Sequence, residues 1–262
     1  MKVEYNYFHK PESRKRKREG LARYIKAMDK KSKGHELLEI VHGTDQVYVN
    51  TAFGLFRIGE GNSKVHFPTL NFESGLTCSS QQDCKFSYAN KRAAKAAGRK
   101  EKTPLCYAQK LEGSYTNMFN AKGYQALVCE RIATQCDSSD WMLYAQAIST
   151  AVTSLKPATK YIRISEVGDI GPVVAGFARI VLAHLVHDGW KPYLYTKRPD
   201  SEKEALRLTG ATVVVSEKDF ICVASEDEAL ALGVPLCPGE CGGPVHKCFR
   251  CPLGKVTAVV GH

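Results

Sequence analysis

The chain has 262 residues, of which 44% are hydrophobic, and a formal net charge of +10 at pH 7. This size and composition suffice for one globular domain with a substantial buried core. No run of about 18 apolar residues could cross a bilayer, and no apolar signal core follows Met1. The sequence therefore argues against a membrane partner and predicts a cytoplasmic protein.

The positive charge is concentrated in two segments. Residues 1–34 hold twelve Lys/Arg against four Asp/Glu, and residues 85–110 hold eight against one. Basic segments on a mildly acidic remainder favour a polyanion partner, because each neutralised phosphate releases counterions. We expect DNA or RNA to bind along residues 10–34 and 85–110; a solvated, partly disordered tail is the alternative. The oligomeric state stays open.

The predicted elements of the N-terminal half include both basic segments. Ser13–Arg18 is too charged to pack, so residues 1–34 are predicted as a mobile or partner-bound tail with a short helix, and residues 35–262 as a single α/β domain. Apolar and aromatic residues in Val47–Ile58 predict two short strands about a turn. Further helices are predicted over residues 20–31, 88–100, 117–135 and 139–155, the last opened by a Ser/Asp cluster suited to an N-cap.

From Lys160 onward, strand and helix patterns alternate. The predicted strands are 160–164, 192–195, 211–215 and 220–223, and the predicted helices are 172–187, 200–209 and 225–232. Alternation at this spacing is typical of parallel βα units, so the sequence predicts an α/β fold.

Polar residues follow the predicted parallel strands at the carboxyl edge, where functional groups gather in such folds. After two of these strands come Ser165, Glu166, Gly168 and Asp169, and then Thr196, Lys197 and Arg198. We predict as catalytic residues Arg163, Glu166, Asp169 and Lys197. Arg163 would need a buried partner, which Asp169 could supply. The alternative is that Ser165 and Asp169 only cap the helix that starts near Pro172.

The ten cysteines are the most specific chemical signal in the chain. Four of them, Cys237, Cys241, Cys248 and Cys251, lie within fifteen residues among glycines and prolines, and three lie upstream, Cys78, Cys84 and Cys106. Clustered cysteines in a reduced compartment more often bind metal than form disulfides. We therefore predict these seven as metal ligands. Cys129, Cys136 and Cys222 are expected to pack as small apolar residues, and the alternative is that Cys129 or Cys136 supplies a missing fourth ligand.

The spacing of the thiols favours different metals at the two groups. The C-terminal group offers one Cys-x2-Cys pair and one Cys-x3-Cys pair, which suits a structural zinc. The upstream group is more irregular and suits three corners of a [4Fe–4S] cluster, of which the chain would hold one or two. Ligands from both groups could instead close around a single cluster. The Cys-x3-Cys-x2-Cys motif of radical enzymes is absent, so we do not expect S-adenosylmethionine as a cofactor.

Several of these motifs occur together in one order along the chain. They are Cys78, Cys84 and Cys106-Tyr-Ala, Arg163-x5-Asp169 with Gly168, Tyr195-Thr-Lys-Arg198, Cys237-Pro, and Cys248-x2-Cys251. This order, from about Leu70 to Gly254, resembles the bacteriophage "gene product 88" family. The resemblance implies a phage-encoded protein of the infected host's cytoplasm, with a partial βα barrel of the radical-S-adenosylmethionine kind that carries cysteine-bound iron–sulfur.

Two functions follow from these expectations. In the first, an iron–sulfur protein acts as an enzyme on or near nucleic acid, with the predicted polar cleft beside the cluster. In the second, a zinc or iron–sulfur centre only stabilises a regulatory nucleic-acid-binding protein, and the basic segments supply the affinity. The sequence does not specify the reaction or the substrate.

Overall fold

A computed structural model of the chain describes residues 11–61, 67–75, 78, 87–98, 106–165, 168–196, 200–215, 220–223, 226–233 and 257–260. Its helices are α1 (Pro11–Ser32), α2 (Tyr88–Ala96), α3 (Tyr107–Ser114), α4 (Thr116–Gln135), α5 (Ser138–Ser154), α6 (Ala175–His187), α7 (Asp200–Arg207) and α8 (Glu226–Ala231). Its strands are β1 (Ile40–His42), β2 (Gln46–Thr51), β3 (Gly54–Gly59), β4 (Thr69–Leu70), β5 (Tyr161–Ile164), β6 (Lys191–Thr196), β7 (Thr212–Val215), β8 (Phe220–Val223) and β9 (Thr257–Val260).

Seven strands form one mixed sheet in the order β1-β2-β3-β4-β5-β6-β7. The pairs from β1 to β4 are antiparallel, and the pairs from β4 to β7 are parallel. In the parallel half, Arg163 lies between Thr69 on one neighbour and Tyr193 on the other. The α/β class predicted from the alternating pattern is confirmed. β8 pairs with β9 in a separate two-stranded parallel sheet, so 220–223 does not extend the main sheet as the next βα unit.

The antiparallel hairpin matches the prediction for Val47–Ile58. Its two strands pair from Gln46–Gly59 to Thr51–Gly54, with Ala52 and Phe53 in the turn. Gly54 has φ +122°, and a Cβ there would collide with the hydroxyl of Tyr124, which accepts a hydrogen bond from the Leu55 amide at 3.0 Å. Glycine is thus required for the turn and for its close contact with α4.

The main hydrophobic core lies between one face of the sheet and helices α4, α5 and α6. Phe56, Phe72 and Phe177 form a set of edge-to-face contacts there, with ring centroids 5.9–6.3 Å apart. Ile162 and Ile164 of β5 are fully buried in the same core. Since alternate residues of a strand face opposite sides, this core leaves Tyr161 and Arg163 on the other face of the sheet.

Helix α1 differs from the predicted mobile tail. A single helix covers Pro11–Ser32, which includes Ser13–Arg18, and it packs on α4 and β3. Leu21 and Met28 are buried in this contact. The expectation that the charged run cannot pack was wrong, because a helix separates its charges by face and a lysine stem can cover apolar surface.

The other predicted helices and strands of the long pattern are observed with ends shifted by at most four residues. Helix α5 begins as expected, since Asp137 accepts hydrogen bonds from the amides of Ser139 and Asp140 at 2.8 and 3.1 Å. Three short elements within 40–114 were not predicted, namely β1, β4 and α3. Within the described helices, none is long and apolar enough to cross a membrane.

Candidate site at the carboxyl edge of the parallel strands

The candidate site lies where β4, β5 and β6 end. Because these strands are parallel, their carboxyl ends meet at one edge of the sheet. The described residues that follow them are Asn71–Gly75 after β4, Ser165 with Gly168 and Asp169 after β5, and Thr196 as the last residue of β6. Asn71, Ser74, Ser165, Asp169 and Thr196 are all buried although they are polar. A buried polar edge of this kind is a strong candidate for a functional site.

Gly168 brings the loops after β4 and β5 into contact. Its φ is +77°, and a Cβ at this position would lie 2.7 Å from the Ser74 carbonyl oxygen and 2.9 Å from the Glu73 carbonyl carbon. Only glycine allows both the backbone angle and this approach to another backbone. The loop that carries Asp169 is therefore held directly against Glu73 and Ser74.

Asp169 joins the ends of β5 and β6. Its side chain is 4% exposed and accepts hydrogen bonds from the Thr196 hydroxyl at 2.8 and 3.0 Å, and from the Ile170 amide at 2.8 Å. The capping alternative is wrong, because α6 begins at Ala175 with Val174 as an N-cap that makes no side-chain hydrogen bond. Asp169 is thus fixed at the carboxyl edge by the neighbouring strand and does not cap α6.

Arg163 does not pair with Asp169. Its guanidinium instead lies over the rings of Tyr195 and Tyr193, at 4.3 and 5.1 Å from the ring centroids. Arg163 is half-buried on the face of the sheet opposite the main core. The predicted pairing was therefore wrong, because the neighbouring strand supplies aromatic rings at the position where a carboxylate was expected. The other two predicted catalytic residues, Glu166 and Lys197, lie outside the described part of the chain.

Ser165 combines burial with an unusual backbone. It has φ +53°, a left-handed value that non-glycine residues rarely adopt, and it is 4% exposed. Its hydroxyl makes no hydrogen bond within the described structure. Left-handed backbone and an unsatisfied buried hydroxyl both cost free energy, and such costs concentrate at functional sites.

A second close contact joins the loop after β4 to the start of α3. A Cβ at Gly75 would lie 2.9 Å from both the carbonyl carbon and the Cβ of Ala108. The Gly75 amide donates to Glu112 Oε1 at 2.7 Å, and Gln109 Nε2 donates to the Gly75 carbonyl at 3.2 Å. Both the amide and the carbonyl of Gly75 are therefore hydrogen-bonded to side chains of α3.

The two segments joined at Gly75 carry two of the predicted metal ligands. Cys78 is three residues beyond Gly75, so its Cα lies within about 11 Å of that glycine, and Cys106, two residues before Ala108, within about 8 Å of that alanine. Both cysteines are half-buried, and Cys106 is the N-cap residue of α3. The Cα atoms of both cysteines therefore lie within about 11 Å of this contact.

Two thiols fit a cysteine-bound metal centre but do not complete one. Within the described ranges, no three His, Cys, Asp or Glu side chains are grouped so as to hold a metal ion. The other predicted ligands, Cys84, Cys237, Cys241, Cys248 and Cys251, lie outside those ranges. A centre at this edge would therefore take Cys78 and Cys106 as part of its donor set.

Three residues of the site were missed by sequence reasoning. Glu73, Ser74 and Glu112 are buried beside the edge, and Glu112 is fully buried. They were missed because β4 is only two residues long. The available signal was the alternation around Leu70, which we did not recognise as a strand.

Cys129 lies behind this edge and packs as predicted. It is fully buried, and its thiol contacts the Asn71 carbonyl and Gln125 Nε2, each at 3.7 Å. Burial raises the pKa of the Cys129 thiol, and the nearby Glu73 carboxylate raises it further. A thiol kept neutral in this way is a poor metal ligand, which separates Cys129 from the candidate donors.

Helix α1 carries a dense group of basic residues. Seven of them are exposed, namely Lys15, Arg16, Arg18, Arg23, Lys26, Lys30 and Lys31. Lys17 is the exception, because it is buried and its ammonium donates to the Glu112 carbonyl at 2.8 Å. Helix α1 thus presents a positive surface while its inner face is anchored to α3 and α4.

Comparison with protein-family models, with curated proteins and with solved structures finds no match to this chain.

Proposed function

We propose that this protein is a phage-type iron–sulfur protein that acts as an enzyme on or near nucleic acid, at the carboxyl edge of β4, β5 and β6. The observation that carries the proposal is the Gly75–Ala108 contact, which joins the segments of Cys78 and Cys106 at the edge that also holds Asp169. An iron–sulfur cluster is held by cysteine thiolates, and a buried carboxylate at the same edge of the sheet would supply a proton-transfer group.

The centre would be held by Cys78 and Cys106 with Cys84, and by thiols of the C-terminal group or by a separate zinc there. A [4Fe–4S] cluster bound by three cysteines supplies an open iron position for substrate. Of the chain's own residues, Asp169 would hold or transfer a proton at its carboxylate, since Thr196 and the Ile170 amide fix its orientation. Glu166 and Lys197 remain proposed members of the same cleft.

The proposal includes a partial βα barrel of the radical-S-adenosylmethionine kind for the parallel half of the sheet. Its support is the sequential order β4-β5-β6-β7, in which α6 and α7 connect successive strands. Right-handed connections in sequential order keep the helices on one face, as in a barrel wall. We also propose a cytoplasmic location in an infected host, because metal-binding thiols must stay reduced.

Metal analysis tests the proposed centre. Protein purified without oxygen should contain about four iron and four sulfide per cluster, with a matching electron paramagnetic resonance signal after reduction. Cys78→Ser and Cys106→Ser should each lower the iron content, whereas Cys136→Ser should not, because Cys136 caps the far end of α4. Asp169→Asn should keep the metal. Iron content that is unchanged in both Cys78→Ser and Cys106→Ser would refute the proposed ligands.

A second candidate function is supported by the exposed basic surface of α1. In this case a zinc or iron–sulfur centre only stabilises the fold, and the protein binds DNA or RNA without catalysis. Zinc with no sulfide would favour it. Replacing Arg23, Lys26 and Lys30 by Gln should weaken binding and reduce the salt slope by up to about 0.9 for each lost phosphate contact on duplex DNA.

Matched controls are available for this second test. Arg179→Gln removes an exposed charge from α6 and should leave the salt slope unchanged. The three α1 positions are exposed, so the variants should fold, unlike a deletion that removes Lys17. An identical salt slope for wild type and the triple variant would exclude α1 as the nucleic-acid surface.

A further inference from the structure

Arg163 of β5 lies on the face of the sheet away from the main core, and Ser165 is the residue directly after that strand. The Arg163 amide donates to the Pro68 carbonyl at 2.9 Å, and the Ser165 amide donates to the Leu70 carbonyl at 2.7 Å. These are successive bonds of the same parallel ladder, two residues apart. Because a strand alternates its side chains, Arg163 lies on the face opposite Ile162 and Ile164. Ser165 follows the strand with left-handed φ, and its Cα lies within about 7 Å of the Arg163 Cα.

The guanidinium of Arg163 is held in place by rings, and within the described part of the chain its Nε has no hydrogen-bond acceptor. Tyr195 and Tyr193 lie beneath it, and they contact each other edge-to-face at 6.3 Å. Tyr193 is further fixed by Phe67, whose centroid is 5.6 Å away. Cation–π contact orients a guanidinium but leaves the N–H groups at its edge without oxygen partners.

The hydrogen-bonding capacity of Arg163 is unused within the described residues. Its Nε is buried without a hydrogen-bond partner, and its side chain makes no ion pair there. A planar guanidinium fork matches two oxygens of a carboxylate or phosphate, and it is the side chain most often used to bind such groups. The Ser165 hydroxyl, which is also buried without a hydrogen-bond partner among the described residues, adds a donor two residues further along the chain.

We propose that Arg163 and Ser165 form a binding site for an oxyanion group, a phosphate or carboxylate, of the substrate. The guanidinium donates two hydrogen bonds to the oxyanion, the serine hydroxyl donates a third, and the tyrosine rings hold the guanidinium plane. The strained backbone of Ser165 fits this role, because it places a hydroxyl where an unstrained strand residue would not. That the oxyanion belongs to a substrate rests on the proposed function, whereas the binding site itself needs no metal.

The test is to titrate the full-length protein with inorganic phosphate, AMP or acetate. Binding is monitored through the Nε–H nuclear magnetic resonance signals of the arginine side chains. The chemical shift of the Arg163 signal should change as anion is added and should reach a plateau when the site is saturated. The Arg57 signal should not shift, because its Nε already donates to Gln46. Arg163→Met should weaken binding about tenfold or more, and Arg163→Lys, which keeps charge but loses the fork, by less.

Ser165→Gly gives a second, independent variant. Glycine suits the left-handed φ, so the protein should fold at least as stably as wild type, yet it should bind the anion several-fold more weakly. Saturable binding of phosphate and AMP would identify a phosphoryl ligand, and binding of acetate alone a carboxylate ligand; either supports the site. The site is overturned if none of the three anions binds saturably. It is also overturned if Arg163→Met and Ser165→Gly both bind the anion with wild-type affinity.

The outcome is separable from that of the metal centre. Arg163→Met and Ser165→Gly should retain the wild-type iron or zinc content, whatever that content is. Loss of anion binding with unchanged metal supports the oxyanion site alone, and absent metal with intact anion binding refutes only the proposed centre.

Discussion

The Thr196 hydroxyl donates to both carboxylate oxygens of Asp169, at 2.8 and 3.0 Å, and so joins the ends of two parallel strands. Both residues are at least 96% buried. A buried carboxylate that loses a donor keeps its desolvation cost without the compensating bond. The position of Asp169 at the carboxyl edge therefore depends on Thr196 as well as on its own loop.

Thr196→Val should test this dependence. The variant has nearly the same shape but no hydroxyl, so we expect it to lower the free energy of unfolding by about 1–3 kcal/mol. Thr196→Ser keeps the hydroxyl and should recover most of that loss. Urea denaturation measures both values. Equal stability of the valine and serine variants would show that the hydrogen bond is not what fixes Asp169.

Gly168→Ala should separate the loops after β4 and β5. A methyl group would collide with the backbone of Glu73 and Ser74, in addition to the cost of left-handed φ, so we expect a loss of about 2–3 kcal/mol in the free energy of unfolding.

Gly189→Ala is the matched control for Gly168→Ala. Gly189 has φ +80°, but nothing lies within 4 Å of its added Cβ. It should therefore lose only the backbone term, about 1 kcal/mol. If both alanine variants were equally stable, the close approach of the two loops would be refuted.

Lys17→Ala should loosen the attachment of α1. The ammonium donates to the Glu112 carbonyl and lies 5.1 Å from the centroid of the Phe119 ring, so the variant loses a buried hydrogen bond and the packing of the lysine stem. We expect a loss of about 2 kcal/mol in urea denaturation. Lys15→Ala, at an exposed position of the same helix, should change stability by at most about 0.5 kcal/mol. Equal effects would mean that Lys17 is not an anchor.

Cys129 should resist alkylation in the folded protein. Burial, reinforced by Glu73, raises the pKa of its thiol, so the reactive thiolate is scarce near pH 8. Mass spectrometry after iodoacetamide treatment should find Cys129 modified in urea and unmodified without it. Because the pKa of Cys129 is raised in the folded protein, protonation of its thiol favours the folded state. This contribution to the free energy of unfolding is complete below the pKa of an ordinary thiol and is lost as pH rises above it. Rapid modification of the native protein would contradict this.

Ser149→Ala should raise the pKa of Asp188. The Ser149 hydroxyl donates to Asp188 Oδ2 at 2.5 Å and lowers the pKa of that carboxyl, with smaller effects from His187 and His184. A lowered folded pKa gives stability that is present above the unfolded pKa and is lost as pH falls through the folded one. A nuclear magnetic resonance titration of the carboxyl group measures the shift. An unchanged pKa in Ser149→Ala would assign the effect to the histidines.

Local patterns in the sequence determined the long elements of the fold. The alternation after Lys160 predicted the parallel βα units, and the Ser/Asp cluster before α5 predicted its N-cap, because helix and strand periods and capping bonds depend on neighbours in the chain. The same reasoning placed Asp169 and Thr196 at a carboxyl edge, since parallel strands end together.

Only the tertiary structure decided which groups meet. Arg163 lies on tyrosine rings rather than beside Asp169 because the register of β5 and β6 fixes its neighbour, and a pairing register is not written in either strand alone. Ser13–Arg18 joins a packed helix because α4 offers a surface for it, and β4 forms with two residues because strands on both sides pair with it. These outcomes depend on contacts between residues far apart in sequence, which local propensity does not contain.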